Sequence, residues 1–231
     1  MTISLITGAN KGLGHETARR LIELGHTVYV GARDPERGRD AAERLGARFL
    51  RIDVTDQAAV DAAVETIRQA EGRLDVLVNN AGISGAFIPA PRIGAEEMQR
   101  VYDTNVFGVV RVTEAFIPLL EASDHPVIVN IGSGTGSMGI VTDPARMEFK
   151  LPALSYGSSK AAVTMLTIQY AKALPRFKVN VVEPGFTATD LNGHRGHQTV
   201  AEGAEAIVAM ATVGPDGPTG TFQDRDGSVP W

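Results

Sequence analysis

Short apolar runs alternate with segments of helical period along almost the whole chain, and this alternation restricts the fold more than any other feature. Ile3 to Ile6, Val28 to Val30, Arg48 to Ile52, Val76 to Val78, Val127 to Ile131 and Val179 to Val182 read as strands. Between them, residues 13–24, 35–45, 56–71, 95–121 and 156–173 carry apolar positions at helical spacing, and 199–211 form a last helix. The 95–121 stretch is interrupted near Asn105 to Gly108. Asp34-Pro35 opens one helix with a capping residue and a proline at its first position, and Gly25, Gly46 and Gly72 end helices. A short strand is expected around Thr221-Phe222. Strand–helix alternation predicts right-handed βαβ units and a parallel sheet, hence an α/β, doubly wound fold with helices on both faces. No repeat or linker divides residues 1–231, so one domain is expected.

Composition excludes several function classes. Twenty-two basic and 27 acidic residues give a net charge of -5 with no Lys/Arg block, so no nucleic-acid partner is expected. The absence of cysteine removes disulfides, thiolate metal sites and cysteine nucleophiles. His194 and His197 read as loop residues, and no metal site is predicted. No apolar run approaches a membrane span, and the N-terminus lacks the pattern of a signal peptide, so a cytoplasmic protein without a membrane partner is the expectation. Glycine, at 25 of 231 residues, is in excess and shows no collagen-like period. Surplus glycine belongs where the backbone turns tightly or approaches a ligand closely.

The first such place follows the first strand, in Thr7-Gly8-Ala9-Asn10-Lys11-Gly12-Leu13-Gly14. A glycine turn between a strand and a helix presents amides to a phosphate at the carboxyl edge of the sheet. The spacing is neither G-x-G-x-x-G nor a P-loop, and a plain tight turn has the same composition. Arg33 follows the second strand, where an arginine accommodates a ribose 2'-phosphate and an acid would bind the free hydroxyl. Asp34 competes as that acid but is explained as a helix cap. Lys11 adds positive charge, and the pair favours NADP(H) over NAD.

Tyr156 and Lys160 sit four residues apart on one helix face. An adjacent ammonium lowers the pKa of a phenol and lets it exchange a proton with a carbonyl or alcohol oxygen. Tyr-x-x-x-Lys is also an ordinary solvated helix face. Ser133, in the glycine-rich loop after the fifth strand, lies outside a nucleophile elbow and reads as a hydrogen-bond donor to a reacting oxygen.

Together, Thr7-Gly8-x-x-x-Gly12-x-Gly14, Asp53, Asn79-Asn80-Ala81-Gly82, Asn105, Ser133, Tyr156-x-x-x-Lys160 and Pro184-Gly185 resemble the short-chain dehydrogenase/reductase family over essentially the whole chain. The glycine turn with Lys11, Ala32-Arg33-Asp34 and the tail from Glu202 to Trp231 most resemble its NADPH-dependent carbonyl reductases. The resemblance implies a Rossmann fold and reduction of a small ketone or aldehyde. Tyr156 would give the proton, Ser133 orient the carbonyl oxygen, Lys160 lower the Tyr156 pKa and bind the nicotinamide ribose, and Asn105 hold a water in a relay to Lys160. Gly8, Asn10, Lys11, Gly12, Leu13, Gly14 and Arg33 would hold the phosphates. Asp53 and Val54 would meet the adenine, and Asn80, Ala81 and Gly82 would floor the cofactor. Pro184 to Thr189 would cover the nicotinamide, with Thr187 and Thr189 donating hydrogen bonds. Asn79 to Gly82 also fits a structural role in the central sheet, Asn79 more so than Asn80.

Ser133 and Tyr156 stand farther apart than is common in the family. The intervening insertion, 141–152, is of intermediate length and leaves monomer and homo-oligomer both open. It is either a pocket wall, with Met138, Met147, Phe149 and Leu151 as lining, or a plain surface loop. Two alternatives share these residues: a non-catalytic NADP(H)-binding regulator, and an alcohol dehydrogenase working in the oxidative direction.

Overall fold

A computed structural model describes residues 1–231. The strands are β1 (Ile3–Thr7), β2 (Thr27–Ala32), β3 (Arg48–Arg51), β4 (Val76–Asn79), β5 (Val127–Ile131), β6 (Lys178–Val182), β7 (Phe222–Asp224) and β8 (Gly227–Ser228). They form one eight-stranded sheet in the order β3-β2-β1-β4-β5-β6-β7-β8. All pairings are parallel except that of β7 with β8. The helices are α1 (Gly12–Glu23), α2 (Pro35–Leu45), α3 (Gln57–Glu71), α4 (Ala95–Tyr102), α5 (Gly108–Glu121), α6 (Met138–Val141), α7 (Leu154–Ala173) and α8 (Val200–Ala211).

The helix ends follow their sequence signals. Asp34 accepts hydrogen bonds from the amides of Glu36 and Arg37 at the start of α2, and Asp56 does the same for Ala58 and Ala59 at α3. Thr199 and Glu202 form a reciprocal capping box on α8. The expected interruption within 95–121 is a π-helical turn, Asp103–Phe107, between α4 and α5.

Both faces of the sheet are covered. On one, Leu5, Leu77, Ile128 and Val179 pack against Val60 and Ile67 of α3 and Val112 and Phe116 of α5. On the other, Ile6, Val30, Val78 and Val129 pack against Leu21 of α1 and Ile207 of α8. Strands buried on both faces are apolar at most positions, which is why they read as near-continuous runs. The strand order reverses between β1 and β4, and at such a switch point the crevice beyond the carboxyl ends admits a ligand.

The insertion and tail are more ordered than the sequence predicted. The insertion is preceded by α6 and contains a 3-10 turn at Glu148–Lys150. The tail returns through β7 and β8, and the Trp231 carbonyl accepts from the Gly139 amide at 2.8 Å. The loop after β5 lies directly on the α7 backbone: a Cβ at Gly136 would stand 2.6 Å from the Lys160 carbonyl carbon. Gly136→Ala is therefore expected to cost about 1–3 kcal/mol of stability through overpacking. Chemical denaturation measures this; a variant as stable as the wild type would show that the loop is not held against α7.

Candidate active site

A cavity of about 660 Å³ lies along the carboxyl ends of β1, β2, β4, β5 and β6. One end is the glycine turn. Gly8 has φ +64°, and a Cβ there would meet the Ala81 Cα at 2.9 Å, so this position requires glycine. Lys11 is the N-cap of α1, but its side chain makes no capping bond, which leaves the first-turn amides open to an anion. Gly8, Asn10, Lys11, Gly12, Leu13, Gly14, Arg33, Asp53 and Val54 all line the cleft. Asp34 does not, because capping α2 occupies it.

Asn80, Ala81 and Gly82 also line the cleft, yet the Asn80 amide donates to the carbonyls of Thr7 and Gly8 at 2.8 and 3.2 Å. It therefore fixes the glycine turn, in line with the structural role this segment also fitted. Asn79 is buried and bonds Thr113 and Asn130. Its role is in the sheet.

At the other end of the cleft stand Ser133, Tyr156 and Lys160. Tyr156 is half-buried in the first turn of α7, and Phe87 tilts against it with ring centroids 6.3 Å apart. The Ser133 Oγ accepts from the Thr135 amide at 3.2 Å and the Thr135 hydroxyl at 2.9 Å, so its own proton is free to donate elsewhere. The Lys160 Nζ donates to the Ile131 carbonyl at 2.8 Å and lies 5.6 Å from the centre of the Tyr156 ring. Asn105 sits in the π turn behind this group. Its amide exchanges two bonds with the Ile83 backbone, each 2.9 Å, and gives a third to Ser159. Both hydrogens of its carboxamide are thus engaged, and its oxygen already accepts from the Ile83 amide.

The loop after β6 forms the remaining wall through Pro184, Gly185, Thr187 and Thr189. The Thr187 hydroxyl donates to the Pro184 carbonyl at 3.0 Å, so it closes its own loop instead of facing a ligand. Lys11 is not free either. Its Nζ pairs with Asp190 at 2.6 Å, and Asp190 also bonds His194. Of the expected insertion residues, Met147 and Leu151 reach the cleft, while Met138 and Phe149 are exposed and do not.

The chain matches the family model for short chain dehydrogenases over residues 2–199. It belongs to that family. It is 30% identical over 295 residues to (+)-neomenthol dehydrogenase of Capsicum annuum, covering 95% of this chain and 94% of the other. It is 32% identical over 290 residues to salutaridine reductase of Papaver somniferum, covering 96% and 93%. The structure of NADPH-bound carbonyl reductase from chicken fatty liver superposes with a TM-score of 0.87 at 26% identity, over 100% of both chains. The family identifies this short-chain dehydrogenase as a nicotinamide-dependent oxidoreductase of the carbonyl/alcohol couple. No helix is long and apolar enough to cross a membrane.

The electrostatics of the site correct one expectation. The net shift of the Tyr156 phenol is upward, not downward. Burial pushes the phenol above its ordinary value, the charge of Glu183 adds to this, and the nearby Ser133 hydroxyl opposes it. Tyr156 is thereby held protonated, the form a proton donor needs. Burial lowers Lys160 to about 8, against the pull of Glu183.

Glu183 and Asp190 were missed at the level of sequence. Glu183 ends a parallel strand, the same position that singled out Ser133, and that signal would have found it. Asp190 had none, because its partner is 179 residues away. Burial, with Glu148 and Asp224 nearby, pushes the Glu183 carboxyl up to about 7 from its ordinary 4.5. The folded protein keeps this proton to higher pH than the unfolded chain, so the group's contribution to stability is full below 4.5 and lost as pH rises through about 7. Glu183→Gln removes that loss. The melting temperature of the variant relative to wild type should climb between pH 4.5 and 7 and level off above; a pH-independent difference would contradict the placement of this charge.

Proposed function

We propose that this dehydrogenase reduces a small ketone or aldehyde to the alcohol with NADPH, and that residues 1–231 work as one cofactor-binding and catalytic domain. The observation that carries this reading is the convergence of Ser133, Tyr156 and Lys160 at one end of a cleft whose other end holds the open N-terminus of α1 and Arg33.

The cleft suits a dinucleotide. The free amides of α1 would hold the pyrophosphate, and Asp53 and Val54 lie where the adenine would stack. Arg33, exposed at the cleft edge, would meet the 2'-phosphate. Lys11 can join it because an exposed ion pair is worth only about 0–1 kcal/mol, less than a charge-assisted bond to phosphate. When bound, the nicotinamide supplies the hydride.

The protein supplies position and the proton. Ser133 donates a hydrogen bond to the carbonyl oxygen and orients it, keeping its own proton. Tyr156 donates its proton to the same oxygen as negative charge develops there. The Lys160 ammonium stabilises the phenolate left behind. Asn105 holds the Ile83 segment and the start of α7 in register through its three bonds.

Tyr156→Phe should lower kcat for NADPH-dependent carbonyl reduction by roughly 10²- to 10⁴-fold while nucleotide binding is kept. Absorbance assays with quinones, aromatic ketones and aldehydes test this, and normal turnover in the variant would refute the mechanism. Arg33→Ala should weaken NADPH about tenfold or more with little effect on NADH, and Lys11→Ala should act in the same direction but less strongly. Equal losses for both nucleotides, measured by titration, would rule out the phosphate contacts.

A further inference from the structure

The mechanism leaves Glu183, a buried carboxyl at the reactive end of the cleft, without a part. Glu183 follows β6 and faces the same space as Ser133, Tyr156 and Lys160. Its Oε1 accepts from the Gly185 amide at 3.1 Å, and the Gly134 amide also points at the carboxyl. Its Oε2 is closed to solvent and has no hydrogen-bond partner. No Lys, Arg or His forms an ion pair with it. A carboxylate kept half-satisfied in such a place costs stability, and a neutral residue would remove that cost.

We propose that Glu183 is a positioning residue for the reduction: as a carboxylate it holds Lys160 as the ammonium and Tyr156 as the phenol. The role rests on the carbonyl-reductase reading of those two residues. The Lys160 Nζ bonds the Ile131 carbonyl, and Ile131 pairs across the sheet with Val182, the residue before Glu183, so ammonium and carboxyl line neighbouring strand ends of one cleft. The other titratable groups around Glu183 are Tyr156 on α7, Glu148 on the segment before α7, and Asp224 on β7. The two acids oppose its ionisation, and Lys160 is the one cation among them. Burial drives Lys160 towards its neutral amine, and the negative charge of Glu183 resists this. Below neutral pH Glu183 is uncharged, but Lys160 and Tyr156 are then protonated in any case. The carboxylate therefore matters on the alkaline side, where it appears as pH rises and extends the range over which both protons are held.

The test is the pH dependence of kcat with isatin and saturating NADPH, together with the titration of the Lys160 Cε resonance by ¹³C NMR. In Glu183→Gln the alkaline limb and the Lys160 titration should both move down by about one pH unit. Glu183→Asp, which keeps the charge one methylene farther back, should fall between the two and serves if the Gln variant does not fold. Superimposable alkaline limbs, or identical Lys160 titrations, would overturn the role of Glu183. The NMR titration needs no turnover, so a wild type that reduces no carbonyl would overturn the reductase reading alone and leave the charge coupling to be judged by Lys160.

Discussion

The ammonium of Lys160 is buried, and a buried charge persists only where polar groups meet it. Here the Ile131 carbonyl does so, at the last residue of β5. That single bond ties α7 to the edge of the sheet from which the Ser133 loop departs. Gly136 completes the attachment by letting the same loop lie against the α7 backbone. Strand end, loop and helix are therefore one unit, and Tyr156 inherits its position from it. A helix that drifted from β5 would leave both the ammonium without its carbonyl and the phenol without its serine.

Side-chain amides do for the rest of the cleft what Lys160 does for its centre. Asn80 holds the glycine turn against the end of β4, and Asn105 holds the Ile83 segment against α7. Asn79 and Asn130 bridge adjacent strands, and Asn180 joins β6 to the tail through the Pro218 carbonyl and Thr221. An amide suits each place because it donates and accepts at once, so two backbone groups that no ladder reaches can be paired by one side chain. The cleft is rigid where its floor is built this way. It is looser at the mouth, where an exposed Lys11–Asp190 pair closes the loop after β6 over the glycine turn.

The fold was legible because its signals are local. The capping of α2 by Asp34, the break before α5 and the glycine turn after β1 each depend on a few neighbouring residues, and each stands where the sequence placed it. Contacts between residues far apart in the chain were not legible. Lys11 pairs with Asp190 and Asn80 bonds the glycine turn, while the bond of Thr187 to Pro184, though local, depends on the fold of the loop after β6. The direction of the Tyr156 shift was misread for the same reason. Helical spacing brings Lys160 to the correct face, but burial and Glu183, neither visible in that spacing, set the sign.

The sequence by itself determined the architecture, the family and the residues gathered at the carboxyl edge of the sheet. Periodicity, capping and turn chemistry are short-range, and a parallel α/β chain has few ways to satisfy them together. Only the tertiary structure decided which polar groups remain free to act. That depends on which distant donor or acceptor each side chain meets, and on how far water is excluded from Tyr156, Lys160 and Glu183. Desolvation belongs to the assembled cleft, and no residue carries it alone.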